Sequence, residues 1–350
     1  MLYLSWRVVR LGVREPYRMS VSSEVDAVQL ALTYESGTGY GEVVASPQLR
    51  LDQRAIISTL TWLRQMVGGY PDPETLLAEL PAAASRWSAP YSVIAALDAA
   101  LHDLVGKRRG MPVHKLAGFD HWAPTETEHT IGHGSVADAA DLARVLTEKG
   151  FRAFKIKAGV GDPDDDRLRV AAVRQVAPDA RLVLDPNGAW SPVQAVQALD
   201  SMAELKLAAV EQPIAPGNPT RMGWIAERSP APVVADEDVA TAADVERLAG
   251  SVQGVTIKLA RCGGILAALQ MIGTATAAGM AVRLGGGIGS SLGVAPGVHL
   301  AGNATWVNLD GHLMLGADPW TGIDGTQGVL RLDGSPGLGV QPTVPWHQGQ

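Results

Sequence analysis

The sequence predicts an α/β fold: a (β/α)8-type barrel, or modified TIM barrel, with an N-terminal α+β capping domain that the C-terminal segment completes. The first observation is a regular alternation of short apolar segments and helical patterns after residue 124, with eight strands about 25 residues apart. The second is that the chain before residue 124 pairs strand patterns around a turn and only then becomes helical. The third is the length of 350 residues with 46% apolar residues, which is enough for one large barrel core.

The capping domain is predicted over residues 1–123 and begins with an antiparallel β unit. Alternating patterns predict three strands, with a glycine-containing turn at 35–39, in the ranges 4–13, 27–34 and 40–44. Helical periodicity follows at 51–67, 72–80 and 92–105. The last of these helices is apolar on most sides and is therefore predicted to be buried.

The barrel is predicted over residues 124–318. Its eight strands are expected at 128–132, 154–157, 182–185, 208–211, 233–236, 254–258, 280–284 and 306–310. Helices are expected between them at 135–149, 163–176, 191–205, 241–248 and 265–277. The remaining segment, 319–350, is rich in turns, carries one possible strand at 328–332, and is expected to return to the capping domain.

Composition narrows the class of protein. The net charge of −7 argues against nucleic acid or an anionic membrane surface as a partner. The single cysteine, Cys262, excludes an internal disulfide and suits a reducing compartment, so a cytoplasmic location is expected. Neither a secretory signal nor a membrane span is expected from the apolar segments. A homo-oligomer acting on a small molecule is the expected assembly.

Five of the predicted barrel strands end in a charged residue: Lys157, Asp185, Glu211, Asp236 and Lys258. The carboxyl ends of barrel strands form the active-site face, so the three carboxylates are expected to converge there. Converging carboxylates need a cation in a low-dielectric site, and oxygen ligands suit Mg²⁺. The alternative interpretation is that each acid is a solvated residue at the end of a strand. That interpretation is reasonable for a single acid, but not for three acids in register between two lysines.

The lysines suggest proton transfer. Lys155 and Lys157 share one face of a strand, so each makes the other easier to deprotonate. Lys157 and Lys258 end the second and sixth strands and should face each other across the barrel mouth. One lysine can remove the proton α to a metal-bound carboxylate, and the other can return one to the metal-stabilised enediolate. This predicts 1,1-proton transfer, meaning racemisation or epimerisation. If one lysine only supports charge, β-elimination or cycloisomerisation remains possible.

Several motifs support a family resemblance. They are Lys155-Ile156-Lys157, Asp185-Pro186-Asn187, Val210-Glu211-Gln212-Pro213, Ala235-Asp236-Glu237 and the stretch 257–264, with Tyr40-Gly41-Glu42 and the helical stretch 95–104 in the capping domain. Together they resemble the enolase superfamily, in its muconate-lactonizing subgroup, over nearly the whole chain. The resemblance implies an isomerase that holds one Mg²⁺ per subunit on Asp185, Glu211 and Asp236.

The same resemblance implies roles for further residues. Lys157 and Lys258 would act as the acid/base pair, with Lys155 tuning Lys157 and touching the substrate carboxylate. Asn187 and Glu237 would contact the metal ligands without binding the metal themselves. The predicted substrate-binding residues are Lys155, Arg18, Thr130, Asn308 and Asp310.

Within the subgroup, the chain is most similar to dipeptide epimerases, through Thr130-Ile131-Gly132 and the Lys-Leu-x-x-x-Gly-Gly stretch after the sixth strand. Those enzymes end the eighth strand with Asp-x-Asp, which holds the substrate ammonium, whereas this chain has Asn308-Leu309-Asp310. It also carries Gly289, where many relatives have an acid, and Pro186, where a small non-proline residue is usual.

The leading prediction is epimerisation of a dipeptide or an N-acylated amino acid, because Asp310 keeps one anion for a substrate ammonium. The alternatives within the superfamily are o-succinylbenzoate synthase, N-succinylamino acid racemase and a muconate cycloisomerase-type lyase or isomerase. A binding barrel without chemistry is the third class, and the complete set of two lysines and three acids argues against it.

Overall fold

The computed structural model describes residues 1–14 and 23–346. An antiparallel sheet opens the chain with β1 (Tyr3–Gly12), β2 (Glu24–Tyr34) and β3 (Gly37–Val44), which pair in the order β1-β2-β3. The hairpin between β2 and β3 is tighter than predicted, because Tyr34 pairs with Gly37 and Glu35 takes a left-handed φ of 53°. Because of this short turn, β3 begins at Gly37, inside the range 35–39 that is predicted to be the turn.

Four helices follow: α1 (Gln53–Gly68), α2 (Pro73–Trp87), α3 (Tyr91–Arg109) and α4 (Val113–Leu116). Helix α2 continues past its predicted end at residue 80, since Leu76, Leu80 and Ala83 form one buried face that carries it through Pro81. Helix α3 packs against β3 at very short range. A Cβ at Gly41 would lie 2.0 Å from the carbonyl oxygen of Ala96, so only glycine allows this contact.

After the short strand β4 (Thr125–Glu126), eight parallel strands form the barrel. They are β5 (His129–Ile131), β6 (Ala153–Lys157), β7 (Arg181–Asp185), β8 (Ala209–Glu211), β9 (Val233–Ala235), β10 (Gly254–Lys258), β11 (Ala281–Gly285) and β12 (Trp306–Asn308). Each strand pairs with its neighbours in chain order. The barrel nearly closes between its first and last strands, where the backbone N–H of Glu128 donates to the carbonyl of Val307 at 2.7 Å. The predicted fold class is confirmed.

Helices lie between the strands. They are α5 (Val136–Glu148), α6 (Pro163–Val176), α7 (Pro192–Ser201), α8 (Pro219–Ala226), α9 (Ala242–Leu248), α10 (Leu259–Cys262), α11 (Ile265–Ala277) and α12 (Ser291–Leu300). The sequence pattern does not predict α8, α10 or α12. Helix α12 is buried at every residue except Gly293 and contains Pro296, so it shows no amphipathic period from which to predict it.

The C-terminal segment contacts both parts of the chain. It adds β13 (Trp320–Thr321), β14 (Ile323–Asp324), β15 (Val329–Leu332) and β16 (Gln341–Pro342), and β15 pairs with β4 at the base of the barrel. The carbonyl of Gly337 accepts the N–H of Val113, and the N–H of Leu338 donates to the Asp103 carboxylate at 2.9 Å. The return to the capping domain is thus present, while the domain boundaries at 123 and 318 stay predictions.

In the described part of the chain, no helix combines the length and apolar character needed to cross a membrane.

Candidate active site

The charged strand ends lie on one rim of the barrel. Lys157 and Asp185 are direct partners in the pairing of β6 with β7, and Glu211 ends β8. Asp236 immediately follows β9, and Lys258 ends β10. Parallel strands in ring order bring all five residues to the same face, as the sequence predicts.

The carboxylates on this rim are fully enclosed and paired with cationic side chains. Lys157 Nζ lies 2.7 Å from Asp185 Oδ2, and Lys258 Nζ makes a short ion pair with Asp236 Oδ2. Arg261 Nη1 lies 3.1 Å from the other oxygen of Asp236. Among the described residues, no three acidic, histidine or cysteine side chains are close enough to form a ready metal-binding cluster. Like-charged carboxylates repel, and each of them contacts a cationic side chain in this arrangement. The three-carboxylate metal site stays a prediction.

Glu211 nevertheless has the character of a metal ligand. Its Oε1 accepts hydrogen bonds from Thr256 Oγ1 and Arg283 Nη1, both at 2.7 Å, while its Oε2 is buried without a hydrogen-bond partner in the described chain. Burial alone raises the pKa of Glu211, but Arg283, Lys155 and Lys258 outweigh burial and hold that pKa well below its usual value. An ionised carboxylate with one oxygen that accepts no hydrogen bond from the described residues fits a hard divalent cation.

The pKa values of Lys155 and Lys258 are shifted in opposite directions. Burial first, and the charge of Lys157 second, lower the pKa of Lys155, whose Nζ lies 3.6 Å from Asp185 and 3.8 Å from Glu211. Burial also opposes the charge on Lys258, but Asp236 and Glu211 outweigh it and raise the pKa of Lys258. In this geometry Lys258 is a cation beside two acids, and Lys155 is the lysine that is easier to deprotonate.

Asn187 connects Lys157 with Glu237. Its Oδ1 accepts from Lys157 Nζ at 2.6 Å, and its Nδ2 donates to Glu237 Oε1 at 2.9 Å. This residue adopts a left-handed φ of 48°, a conformation that asparagine tolerates better than most residues. Burial, followed by the charge of Asp236, raises the pKa of Glu237.

The residues at the eighth strand form a closed network of their own. Asp310 is 4% exposed, and its Oδ2 accepts the backbone N–H of Thr130 at 2.7 Å. Its Oδ1 accepts from Asn308 Nδ2 at 2.9 Å, and His129 Nδ1 lies 3.7 Å from Oδ2. Both oxygens of Asp310 are therefore hydrogen-bonded within the protein. Arg18, the remaining predicted substrate-binding residue, lies outside the described residues.

Sequence reasoning overlooked three residues that contact the predicted ligands. Arg283, Thr256 and Arg261 hydrogen-bond to Glu211 or Asp236, and Arg283 is fully buried. A lone arginine inside the apolar run 280–284 was the available signal, because an arginine on a barrel strand needs buried acids as partners.

This combination of a barrel, a capping domain and charged strand ends is typical of an enzyme whose active site lies at the carboxyl ends of the barrel strands. Residues 137–345 match the family model described as enolase C-terminal domain-like, and residues 5–118 match the mandelate racemase / muconate lactonizing enzyme N-terminal domain. The chain belongs to the enolase superfamily, and its relatives make it an isomerase of that superfamily.

Similar proteins of known activity cover most of the chain. An L-Ala-D/L-Glu epimerase from Bacteroides thetaiotaomicron is 31% identical over 89% of this chain and 80% of its own length. An N-succinyl-L-Arg/Lys racemase from Bacillus cereus is 27% identical over 95% of this chain and 93% of its own. The structure of a dipeptide epimerase from Enterococcus faecalis, complexed with Mg and the dipeptide L-Leu-L-Tyr, superimposes with a TM-score of 0.90 at 26% identity, covering 97% and 98% of the two chains.

Proposed function

We propose that this protein catalyses Mg²⁺-dependent 1,1-proton transfer at the carbon α to a carboxylate, on a dipeptide or an N-acylated amino acid. One observation carries the proposal. Lys157 and Lys258 end the second and sixth strands of an eight-strand barrel, with three buried carboxylates on the strand ends between them. Strands four positions apart in such a ring stand half a turn apart, so the two lysines can address opposite faces of one carbon.

Asp185, Glu211 and Asp236 would hold the cation. Two observations support this assignment: Oε2 of Glu211 accepts no hydrogen bond from the described residues, and all the donor atoms are oxygens. When bound, Mg²⁺ supplies positive charge that stabilises the negative charge developing on the substrate carboxylate. The dipeptide epimerase complexed with Mg supports the same choice of metal.

The chain's own side chains would move the proton. Lys157 is oriented by Asp185 and by Asn187 Oδ1, which lie 2.7 and 2.6 Å from Nζ. Lys258 is oriented by Asp236. The lysine in its neutral form accepts the α-proton, and the opposite lysine, as an ammonium, donates one to the other face. Lys155 would contact the substrate carboxylate.

The decisive experiment is deuterium uptake in D₂O. A library of dipeptides and N-acylated amino acids is incubated with the enzyme and Mg²⁺, and α-deuterium is measured by mass spectrometry. Exchange together with inversion supports epimerisation, and the compounds that react define the substrate. Full exchange in EDTA-treated protein would contradict the role of the metal.

A second candidate is N-acylamino acid racemisation of the N-succinylamino acid type. The observation that favours it is the closed hydrogen-bond network of Asp310, whose oxygens are already engaged by Thr130 and Asn308. A carboxylate whose two oxygens already accept hydrogen bonds from the protein binds a substrate ammonium less strongly. The racemase from Bacillus cereus is consistent with this choice. Product analysis by chiral chromatography separates both inversions from o-succinylbenzoate synthase or muconate cycloisomerase chemistry. Elimination and cycloisomerisation change the constitution of the substrate, whereas inversion changes only the configuration of one carbon.

A further inference from the structure

A buried arginine joins three strands inside the barrel. Arg283 lies on β11 with no exposed surface and is paired in register with Thr256 on β10. Its Nη1 donates to Glu211 Oε1 at 2.7 Å, and its Nη2 makes a short ion pair with Glu128 Oε2. Glu128 directly precedes β5, so this contact reaches past the eighth strand and joins the seventh strand to the first.

The charges of this group are unevenly shared. Two carboxylates, Glu128 and Glu211, lie against one guanidinium, and all three side chains are at most 1% exposed. The nearest further cation is Lys155, whose Nζ is 3.8 Å from Glu211 Oε2. Burying a charged side chain costs free energy unless a group of opposite charge lies beside it. Arg283 contacts two acids rather than one, and the second acid needs an explanation. Its effect is to divide the positive charge of Arg283 between two partners.

The hydrogen bonds to Glu211 are just as uneven. Both of its fixed donors, Thr256 Oγ1 and Arg283 Nη1, bond the same oxygen, Oε1. The other oxygen, Oε2, is buried with no hydrogen-bond partner among the described residues. Two donors hold Oε1 in place, while Oε2 accepts no hydrogen bond from the described residues and can accept a ligand.

We infer that Arg283 and Thr256 are positioning residues that lock Glu211 Oε1, and that Glu128 draws off part of the arginine's charge so that Oε2 binds a divalent cation tightly. The inference deepens the proposed function and rests on it for the choice of Mg²⁺. Without Glu128, the whole charge of Arg283 would act on Glu211 and compete with the metal. Without the Thr256 hydroxyl, the carboxylate of Glu211 would lose one of the two hydrogen bonds that hold Oε1 in place.

The test measures Mg²⁺ binding by isothermal titration calorimetry on the metal-stripped full chain, without substrate. Glu128→Gln keeps the shape of the side chain and removes its charge, and Thr256→Val removes only the hydroxyl. Each change is expected to raise the Kd for Mg²⁺ by about 10- to 100-fold, the usual effect of losing a partner of a metal ligand. Thr256→Ser, which restores the hydroxyl, should recover most of the affinity.

The control separates positioning from general damage. Ser5→Ala removes another buried hydroxyl, which donates to the carbonyl of Ala31 in the sheet of the capping domain, outside the barrel. It should destabilise the metal-free protein in urea while leaving the Kd unchanged. A wild-type Kd in folded Glu128→Gln and Thr256→Val overturns the inference and leaves the proposed reaction intact. Weakened binding in both variants, in a protein that exchanges no α-proton on any substrate, supports the inference and refutes the reaction instead.

Discussion

The stability of this protein should depend on pH through His299, which lies on α12 away from the active site. Its Nδ1 accepts the backbone N–H of His114 at 3.2 Å, and its Nε2 donates to the carbonyl of Leu338 at 3.1 Å. One ring nitrogen must therefore carry a proton while the other does not, which is the neutral imidazole. Burial, with smaller effects from His114 and His102, lowers the pKa of His299 to about 4.

The sign and size of the effect follow from linkage. The unfolded chain binds the proton at the ordinary pKa of about 6.5, whereas the folded protein resists it down to about 4. The contribution of His299 is complete above pH 6.5 and declines as the pH falls toward 4. A difference of roughly 2.5 pKa units corresponds to an upper limit of about 3 kcal/mol in the free energy of unfolding.

The assay compares wild type with His299→Gln by urea unfolding at pH 7, 5.5 and 4. The glutamine does not titrate, so the stability advantage of the wild type over the variant should shrink by up to about 3 kcal/mol between pH 7 and pH 4. His121→Gln, at an exposed site, is the matched control and should follow the wild type at every pH. An advantage that stays constant with pH would refute the neutral, buried state of His299.

Three further predictions concern the active site. Glu211→Gln should abolish Mg²⁺ binding in calorimetry and leave the circular dichroism spectrum unchanged; retained binding would remove Glu211 from the ligand set. Lys157→Ala and Lys258→Ala should each lower turnover by ~10²- to 10⁴-fold, with any residual deuterium exchange confined to one enantiomer; a Lys258→Ala variant that racemises at nearly the wild-type rate would indicate a single base. Asn308→Asp adds an anion at the eighth strand and should raise kcat/KM for a free dipeptide by about tenfold relative to its N-acetyl form; an unchanged ratio would mean that this position does not read the amino terminus.

Where the chain marks both ends of an element, the sequence predicts it well. Strand β10 and helix α11 have the predicted bounds, because Gly254 and the Gly263-Gly264 pair punctuate a short apolar run and a longer periodic one. Helix α12 carries no such marks. Its glycines, Pro296 and apolar residues on every side are tolerated only because neighbouring elements surround it, and that environment is not visible in a local pattern.

In the candidate site, too, some features can be predicted from the sequence and others cannot. Topology alone brings Lys157, Asp185, Glu211 and Lys258 to one rim, so their positions follow from counting strands. The partners of these residues do not follow from counting. Arg283 reaches an acid 155 residues away in sequence, a pairing that depends on the closed barrel.

The path of the C-terminal segment has a consequence for how the protein is made. Asp103 on α3 accepts the N–H of Leu338, so the capping domain leaves the ribosome without a partner that is synthesised 235 residues later. Vectorial synthesis therefore cannot complete the capping domain before the barrel exists. Contacts of such long sequence separation slow folding and expose intermediates to aggregation. A ribosome stalled before residue 338 should carry a nascent chain whose α3 remains sensitive to protease, and release of the full chain should protect it.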